Sequence, residues 1–246
     1  MQLARRKYRD KYGLYLIEGD NLFFEAVKHG AGIREIFLRD DYTLQRDLQG
    51  LEPYALNEKL FNALAQTETS QGIIAVVEKN TFSEDDFLTA CRGKNILVLD
   101  RVQDPGNIGA MIRTADAAGY GGVIAMKGTG DIYSPKTVRA AAGSLFRAPV
   151  LFAENAENVL SLIRKSGRKS VCACPEAETP YYDAGLSHGI ALIIGNEGNG
   201  LCRQFLDGAD IKAGIPMEPF AESLNAAVAA GILMYESKRI KMIQKG

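Results

Sequence analysis

Apolar residues form two kinds of pattern along the chain, and the change between them falls near residue 95. In the first part, short strand-like runs alternate with segments of helical spacing. The strand-like runs are LYLI (14–17), EIFL (35–38), PYAL (53–56) and GIIAVVE (72–78). The predicted helices run from Asp20 to Lys28, closed by Gly30, from Glu58 to Ala65, and over a short stretch near Leu44. This alternation predicts a small α/β unit that ends near Lys79.

The second part is more hydrophobic and richer in glycine. Its apolar runs are NILVLD (95–100), GGVIAM (121–126), PVLFA (149–153), SVCAC (170–174), IALIIG (190–195) and DIKAGI (210–215). Helices are predicted at 108–118 after a DPGN turn (104–107), and near 135–144, 156–165 and 222–243. Continuous apolar strands interleaved with helices predict a parallel sheet covered on both faces, built from right-handed crossovers.

The segment between the two parts, residues 80–94, carries a helix start signal. Ser83 can cap the helix, and Asp86, three positions later, can reach back to it. We interpret 1–79 and 95–246 as two domains and 80–94 as a connecting helix. An internal helix of one larger domain is the alternative.

Composition narrows the class of protein. The chain has 246 residues, 46% of them hydrophobic, and no apolar run reaches the roughly 20 residues of a membrane span. Its basic start lacks the apolar segment of a secretory signal, so we expect a cytoplasmic protein without membrane contact. Of four scattered cysteines only Cys172 and Cys174 lie close together, and no second ligand pair accompanies them, so no metal site is predicted.

Basic residues are concentrated at the two ends, although the net charge is only −1. They are Arg5, Arg6, Lys7, Arg9 and Lys11 at the start, and Lys238, Arg239, Lys241 and Lys245 at the end. These clusters are either solvated termini or two surfaces that contact phosphate groups.

The glycines of IIGNEGNGL (193–201) raise the question of a nucleotide site. Gly195, Gly198 and Gly200 give G-x-x-G-x-G, which is the wrong order for a dinucleotide fingerprint, and no P-loop occurs. Glycine nevertheless lets main chain approach a ligand closely. Main-chain groups beside the apolar residues Ile215, Met217 and Leu224 suit an adenine ring attached to a small zwitterion, as in S-adenosylmethionine, better than NAD.

Two polar residues stand out on the helix predicted after NILVLD. Asn107 is placed to cap its first turn. Arg113 is an unexpected charge on a helix that otherwise has a packed composition. It is either paired with an acid such as Asp116 or Glu197, or it is a fixed guanidinium that grips phosphate or carboxylate.

Three stretches together resemble the signature motifs of the SpoU (TrmH) family of RNA 2'-O-ribose methyltransferases, in the family's order. They are N-x-G-x-x-x-R from Asn107 to Arg113, G-N-E-G-x-G from Gly195 to Gly200, and I-P-M (215–217) followed by S-L-N (223–225). The resemblance covers about residues 95–243. The preceding segment, with IEG at 17–19, is similar to the family's L30e-like substrate-binding domain.

This resemblance implies an α/β fold in which the C-terminal segment of a parallel sheet forms a trefoil knot, beside a small N-terminal α/β domain. It implies S-adenosylmethionine as cofactor, held at Gly195, Ile215, Met217, Ser223 and Leu224. It also implies a homodimer with active sites at the subunit interface. Residues Leu224, Val228, Ile232 and Tyr235 of the last helix are the predicted dimer surface.

The predicted activity is 2'-O-ribose methylation of structured RNA. The catalytic candidates are Asn107, Arg113, Glu197 and Asn225. The two-domain organisation favours ribosomal RNA, 23S in particular, over transfer RNA by family analogy. A non-catalytic RNA-binding paralogue and a small-molecule oxidoreductase on a doubly wound sheet are the competing hypotheses.

Overall fold

The computed structural model describes residues 2–43, 50, 52–67 and 70–244. The strands are β1 Leu14–Glu18, β2 Ile33–Arg39, β3 Tyr54–Leu56, β4 Ile73–Glu78, β5 Ile96–Leu99, β6 Gly122–Met126, β7 Val150–Ala153, β8 Lys169–Ala173, β9 Ile190–Ile194 and β10 Ile211–Ala213. The helices are α1 Arg6–Tyr12, α2 Asp20–Lys28, α3 Glu58–Leu64, α4 Glu84–Ala90, α5 Pro105–Ala118, α6 Pro135–Ala141, α7 Ala156–Lys165, α8 Arg203–Gly208 and α9 Ala226–Ile243.

The first sheet has four strands in the order β1-β4-β2-β3. Strand β4 runs antiparallel to both of its neighbours, whereas β2 and β3 are parallel. Helix α2 ends at Lys28 and Gly30 has a φ of +64°, as the sequence predicts. The short helix predicted near Leu44 lies outside the described residues.

The second sheet has six strands in the order β10-β8-β9-β5-β6-β7, and every pairing in it is parallel. All residues of β5, β6 and β9 are buried, because helices cover both faces of the sheet. The predicted fold class, a parallel α/β sheet beside a small N-terminal α/β unit, is therefore confirmed. Among the described residues, no helix has both the length and the apolar character needed to cross a lipid bilayer.

The two sheets share a continuous core. Ring centroids of Tyr15 on β1 and Tyr133 beside the second sheet lie 4.8 Å apart, and both side chains are buried. Arg9 of α1 is also buried and donates through Nε to Asp131, 3.1 Å away, in the loop after β6. One of the five basic residues at the start of the chain is therefore an internal anchor and not part of a free surface.

Segment 80–94 packs against the second sheet. Ser83 caps α4 by accepting from the backbone N–H of Asp86, as predicted. Phe87 and Cys91 are fully buried in the same apolar cluster as Ile96 of β5. The helix therefore contributes to the core of the larger sheet as well as joining the two units.

Several helix boundaries differ from the sequence prediction. Helix α6 ends at Ala141 and not near 144, because Ala142 and Gly143 have positive φ values of 46° and 85°. The predicted DPGN turn is instead the beginning of α5, with Pro105 in its first turn. Helices α1 and α8 were not predicted, and both are short.

Candidate active site

The carboxyl ends of β5 and β9 form the edge at which the three motifs meet. The two strands pair in parallel with Leu99 opposite Ile194, so Asp100 and Gly195 leave the sheet side by side. In open α/β sheets, ligands bind in the crevice beyond these strand ends. The convergence predicted from sequence is present in the structure.

The glycine-rich loop after β9 closes on itself. Asn196 and Gly200 exchange backbone hydrogen bonds of 3.0 and 2.9 Å, and the Asn196 side chain accepts from the N–H groups of Gly198 and Asn199. A Cβ on Gly195 would lie 2.5 Å from the carbonyl carbon of Gly200, so no side chain fits at residue 195. The loop is compact because main chain packs directly on main chain.

A buried carboxylate anchors this loop, and sequence reasoning missed it. Asp100 is fully buried and accepts from Arg101 Nε at 2.8 Å and from the backbone N–H of Cys202 at 2.6 Å. Arg101 has a φ of +57°, and its carbonyl accepts from the side chain of Asn196. A charged pair directly after the apolar run ILVL was the signal available in the sequence.

Glu197 joins the glycine-rich loop to the start of α5. Its carboxylate accepts from the backbone N–H groups of Gln103 and Asp104, at 3.0 and 3.1 Å, and from Asn107 Nδ2 at 3.0 Å. Partial burial opposes ionisation, but the hydrogen bonds from Asn107 and from the backbone outweigh it and lower the pKa of Glu197. The group is therefore an ionised acceptor at neutral pH.

Asn107 does not cap α5, contrary to the sequence prediction. Asp104 is the N-cap residue, and its carboxylate accepts from the backbone N–H of Asn107 at 2.8 Å. The side chain of Asn107 is thereby free to bridge. Its Nδ2 donates to Glu197 and its Oδ1 accepts from Asn225 Nδ2 at 3.0 Å.

Asn225 brings the third motif into the same network. Its Oδ1 caps α9 by accepting from the backbone N–H groups of Ala227 and Val228. The cap also explains why the helix begins at Ala226 and not near residue 222. Three of the four predicted catalytic residues, Glu197, Asn107 and Asn225, thus form one continuous hydrogen-bonded chain.

Arg113 is separate from that chain. It is exposed on α5, six residues and about 9 Å of helix rise beyond Asn107. Neither candidate partner binds it, since Asp116 pairs with Arg147 at 2.7 Å and Glu197 is held by Asn107. In the part of the chain that the structure describes, Arg113 forms no ion pair, so the salt-bridge alternative is excluded there.

The predicted cofactor residues lie on two segments, the glycine-rich loop and the irregular stretch from Gly214 to Asn225. Among the described residues, the main-chain groups of Gly195, Ile215 and Leu224 form no hydrogen bond to other main chain. The side chains of Ile215 and Met217 are half-buried, whereas Ser223 and Leu224 are exposed. Unpaired donors and acceptors beside partly buried apolar side chains are what main-chain recognition of a small ligand requires.

Replacing Glu197 by glutamine should lower the free energy of unfolding by about 1 kcal/mol at neutral pH, because glutamine cannot accept on both sides. The folded-state pKa of Glu197 is lowered, so its stabilising effect is present above the pKa of an unfolded glutamate, about 4.3. It is lost as the pH falls through the lowered folded-state pKa. The difference between wild type and variant should therefore shrink in acid, as measured by urea unfolding across this range.

Glu178→Gln is the control for this experiment, because Glu178 is exposed and makes no hydrogen bond among the described residues. It should leave the unfolding curve unchanged at every pH. A Glu197→Gln difference that stays constant from neutral to acid pH would contradict the assigned role of the ionised carboxylate.

Comparison with known proteins decides the family. The model of the SpoU rRNA Methylase family matches residues 94–235, and the model of the MRM3-like substrate binding domain matches residues 1–75. The chain belongs to the SpoU rRNA methylase family. The family resemblance predicted from the three motifs is confirmed.

Members of this family match nearly the whole chain. The 23S rRNA (guanosine(2553)-2'-O)-methyltransferase RlmP of Bacillus subtilis is 40% identical over 235 residues, covering 95% of this chain and 92% of the relative. A 23S rRNA (uridine(2479)-2'-O)-methyltransferase of Streptomyces viridochromogenes is 31% identical, covering 96% of this chain and 86% of that one. The crystal structure of the SpoU methyltransferase AviRb from the same organism, in complex with AdoMet, has a TM-score of 0.86 and 30% identity, covering 98% of this chain and 95% of that chain.

Proposed function

We propose that this SpoU family protein transfers a methyl group from S-adenosylmethionine to a ribose 2'-hydroxyl of ribosomal RNA, of the 23S type named for its relatives. The main support is structural: Glu197, Asn107 and Asn225 form a hydrogen-bonded chain at the carboxyl ends of the parallel strands. Beside it, among the described residues, lie main-chain N–H and C=O groups without a main-chain hydrogen bond. The names of the full-length relatives support the reaction and the RNA class.

The residues present fit S-adenosylmethionine. Gly195 leaves no room for a side chain, and unpaired main-chain groups at Gly195, Ile215 and Leu224 can bind the polar parts of an adenosyl amino acid. Met217 and Ser223 lie on the same irregular segment. When bound, this cofactor supplies a methyl group that is activated by a positively charged sulfur.

Arg113 is suited to bind a phosphate group of the RNA during the reaction. Its guanidinium is exposed and unpaired among the described residues, so it is available to a phosphate of the RNA next to the target ribose. An arginine side chain stays protonated in proteins, so it acts on the 2'-hydroxyl electrostatically, by favouring loss of its proton, and not as the base.

Glu197 is a positioning residue in this proposal. Three N–H groups already bind its carboxylate, and its lowered pKa makes it a weak proton acceptor. Together with Asn107 and Asn225 it fixes the start of α5, and thereby the direction from which Arg113 faces the substrate.

The finer organisation is proposed from the same resemblance. Residues 1–79 contact RNA, 80–94 connect, and 95–246 bind the cofactor, with the segment after β10 threaded into a trefoil knot. A homodimer is supported by one side of α9 and by Leu224, two residues before the helix begins. There Leu224, Val228 and Tyr235 are 38%, 52% and 49% exposed, which is unusual for apolar side chains in such a row. The cytoplasmic location expected from the sequence remains a prediction.

The decisive experiment incubates the purified full chain with methyl-labelled S-adenosylmethionine and an unmodified in vitro transcript of 23S rRNA. We expect label at a ribose, recovered as a nucleotide linkage that resists alkaline hydrolysis. A transfer RNA pool is the parallel sample. Label in transfer RNA alone would favour the alternative substrate, and cofactor binding without transfer to either RNA would favour the non-catalytic paralogue.

A further inference from the structure

An open basic pocket lies at the N-terminal ends of the strands of the six-stranded sheet, here called the amino edge. Gly195 and Asn107 lie at the opposite end of the strands. The pocket has a volume of about 550 Å³, and it lies between the C-terminal ends of α4 and α7 and the residues that precede β9. Its charged and titratable lining residues are Asp85, Arg92, Lys94, Lys165, Arg168 and His188.

Arg168 is a buried cation in the wall of this pocket. Its side chain is only 8% exposed, and it donates through Nε to the carbonyl of Lys94 at 2.9 Å and through Nη2 to the carbonyl of Cys91. Burial lowers the pKa of its guanidinium. No carboxylate within the described ranges pairs with it, so a fixed positive charge faces the pocket without a counter-ion.

The remaining charges of the pocket are unbalanced. Asp85 is its acidic residue, and Lys165 already binds it at 2.8 Å. Arg92 and Lys94 are exposed, and neither forms an ion pair in the described part of the chain. The surplus is therefore positive although the whole protein is nearly neutral.

A second, smaller hollow continues this surface onto α9. It shares Lys94 and His188 with the first and adds Lys238 and Lys241, two of the basic residues that the sequence places near the end of the chain. Lys245 of that cluster lies outside the described residues. Arg239 is bound to Glu236 at 2.7 Å and adds no free charge.

Helix ends explain part of this surface. Cations favour helix C-termini, and Arg168 and Lys238 donate to carbonyl groups at the ends of α4 and α5. Arg92, Lys94 and Lys241 have no such side-chain bond among the described residues. Their charge is left for an external anion.

We infer that this amino-edge surface binds the phosphodiester backbone of the RNA substrate, as a contact separate from the reaction edge. The inference rests on the proposed function for the identity of the RNA. Strands of four or five residues separate the two edges by about 15 Å, so one RNA can contact both edges at the same time. Phosphate contacts of this kind add affinity and orientation and carry no base specificity.

The test compares the full chain with the double variant Arg92→Gln, Lys94→Gln in filter binding of an in vitro 23S rRNA transcript at several KCl concentrations. We expect affinity near physiological salt to fall by about 10-fold, and the slope of log K against log salt to become shallower by about 1 to 2, one for each lost phosphate contact. Thermal unfolding of the variant should match wild type, because both residues are exposed.

The matched control removes the same number of charges from another exposed surface, through Arg203→Gln, Lys212→Gln, and should keep both the affinity and the slope of wild type. Wild-type affinity and slope in the Arg92, Lys94 variant would overturn the inference, and so would an equal loss in the control. Inorganic phosphate is the small-anion probe. If the double variant no longer binds phosphate but binds RNA as wild type does, the pocket is a site for a free anion. That result would also overturn the inference.

The two proposals fail in different ways. If the wild-type chain methylates the transcript while the double variant binds RNA normally, only the amino-edge contact is wrong. If the wild-type chain binds RNA with the expected salt slope and the variant loses it, but no ribose is methylated, only the proposed function is wrong.

Discussion

Replacing Arg113 by lysine should lower the rate of methyl transfer by about 100- to 1,000-fold and leave the affinity for S-adenosylmethionine unchanged. Lysine keeps the charge but loses the planar set of donors that can bind a phosphate through two parallel hydrogen bonds. Arg113 forms no ion pair among the described residues, so the free energy of unfolding should not change. Single-turnover kinetics with saturating RNA and calorimetry with the cofactor separate the two effects.

Arg203→Lys provides the control for that experiment. Arg203 is an exposed arginine on α8, and its contact with Asp207 is a surface pair one helical turn away. This variant should transfer methyl groups at the wild-type rate. Near-normal turnover by Arg113→Lys would rule out a required planar clamp, whatever the control does.

Gly195→Ala should weaken S-adenosylmethionine binding by at least about 30-fold, equivalent to about 2 kcal/mol. The new methyl group would lie 2.5 Å from the carbonyl carbon of Gly200 and 2.6 Å from the backbone nitrogen of Leu201. These are main-chain atoms that cannot rotate away, and Asn196 ties Gly200 in place by two hydrogen bonds. The loop must therefore open, which moves the main chain that would hold the cofactor. Calorimetry measures the loss.

Gly198→Ala is the matched substitution in the same loop. The nearest atom to its new methyl group is Asn196 Oδ1 at 3.7 Å, an ordinary contact, and the φ of Gly198 is not positive. Cofactor affinity should stay within about twofold of wild type. Equal losses in the two variants would show that the loop is sensitive to any added bulk, and that the close approach at Gly195 has no special role.

The larger sheet could be predicted from sequence because its strands are continuously apolar. Runs such as ILVL and IALII have no polar face, and that pattern occurs where helices cover both sides of a sheet. Short helices were harder to predict. Helix α8 has six residues with Phe205 as its buried contact, which is too little for a periodic signal. Helix α6 ends where Ala142 has a positive φ, and an alanine in the sequence does not predict that conformation.

The sequence indicated which end of the strands the motif residues occupy, but it did not reveal the hydrogen bonds between them. Asn107, Glu197 and Asn225 were expected at one edge, and they do lie there. Their order in the hydrogen-bonded chain was not foreseen, because sequence spacing does not reveal which acceptor a side-chain amide will choose. Asp104 and Asn107 could both cap the helix, and in the structure Asp104 is the N-cap residue. That choice frees the Asn107 amide to bridge.

The bond between Asn225 and Asn107 has a consequence for synthesis of the protein. The cap on α9 holds the Asn225 side chain through Oδ1, which orients its Nδ2 group toward Asn107, so folding of the helix favours the bond between the two asparagines. A nascent chain in which α9 has not yet been synthesised therefore lacks the Asn225 contact, and the network of Glu197 and Asn107 is completed only once that helix has folded.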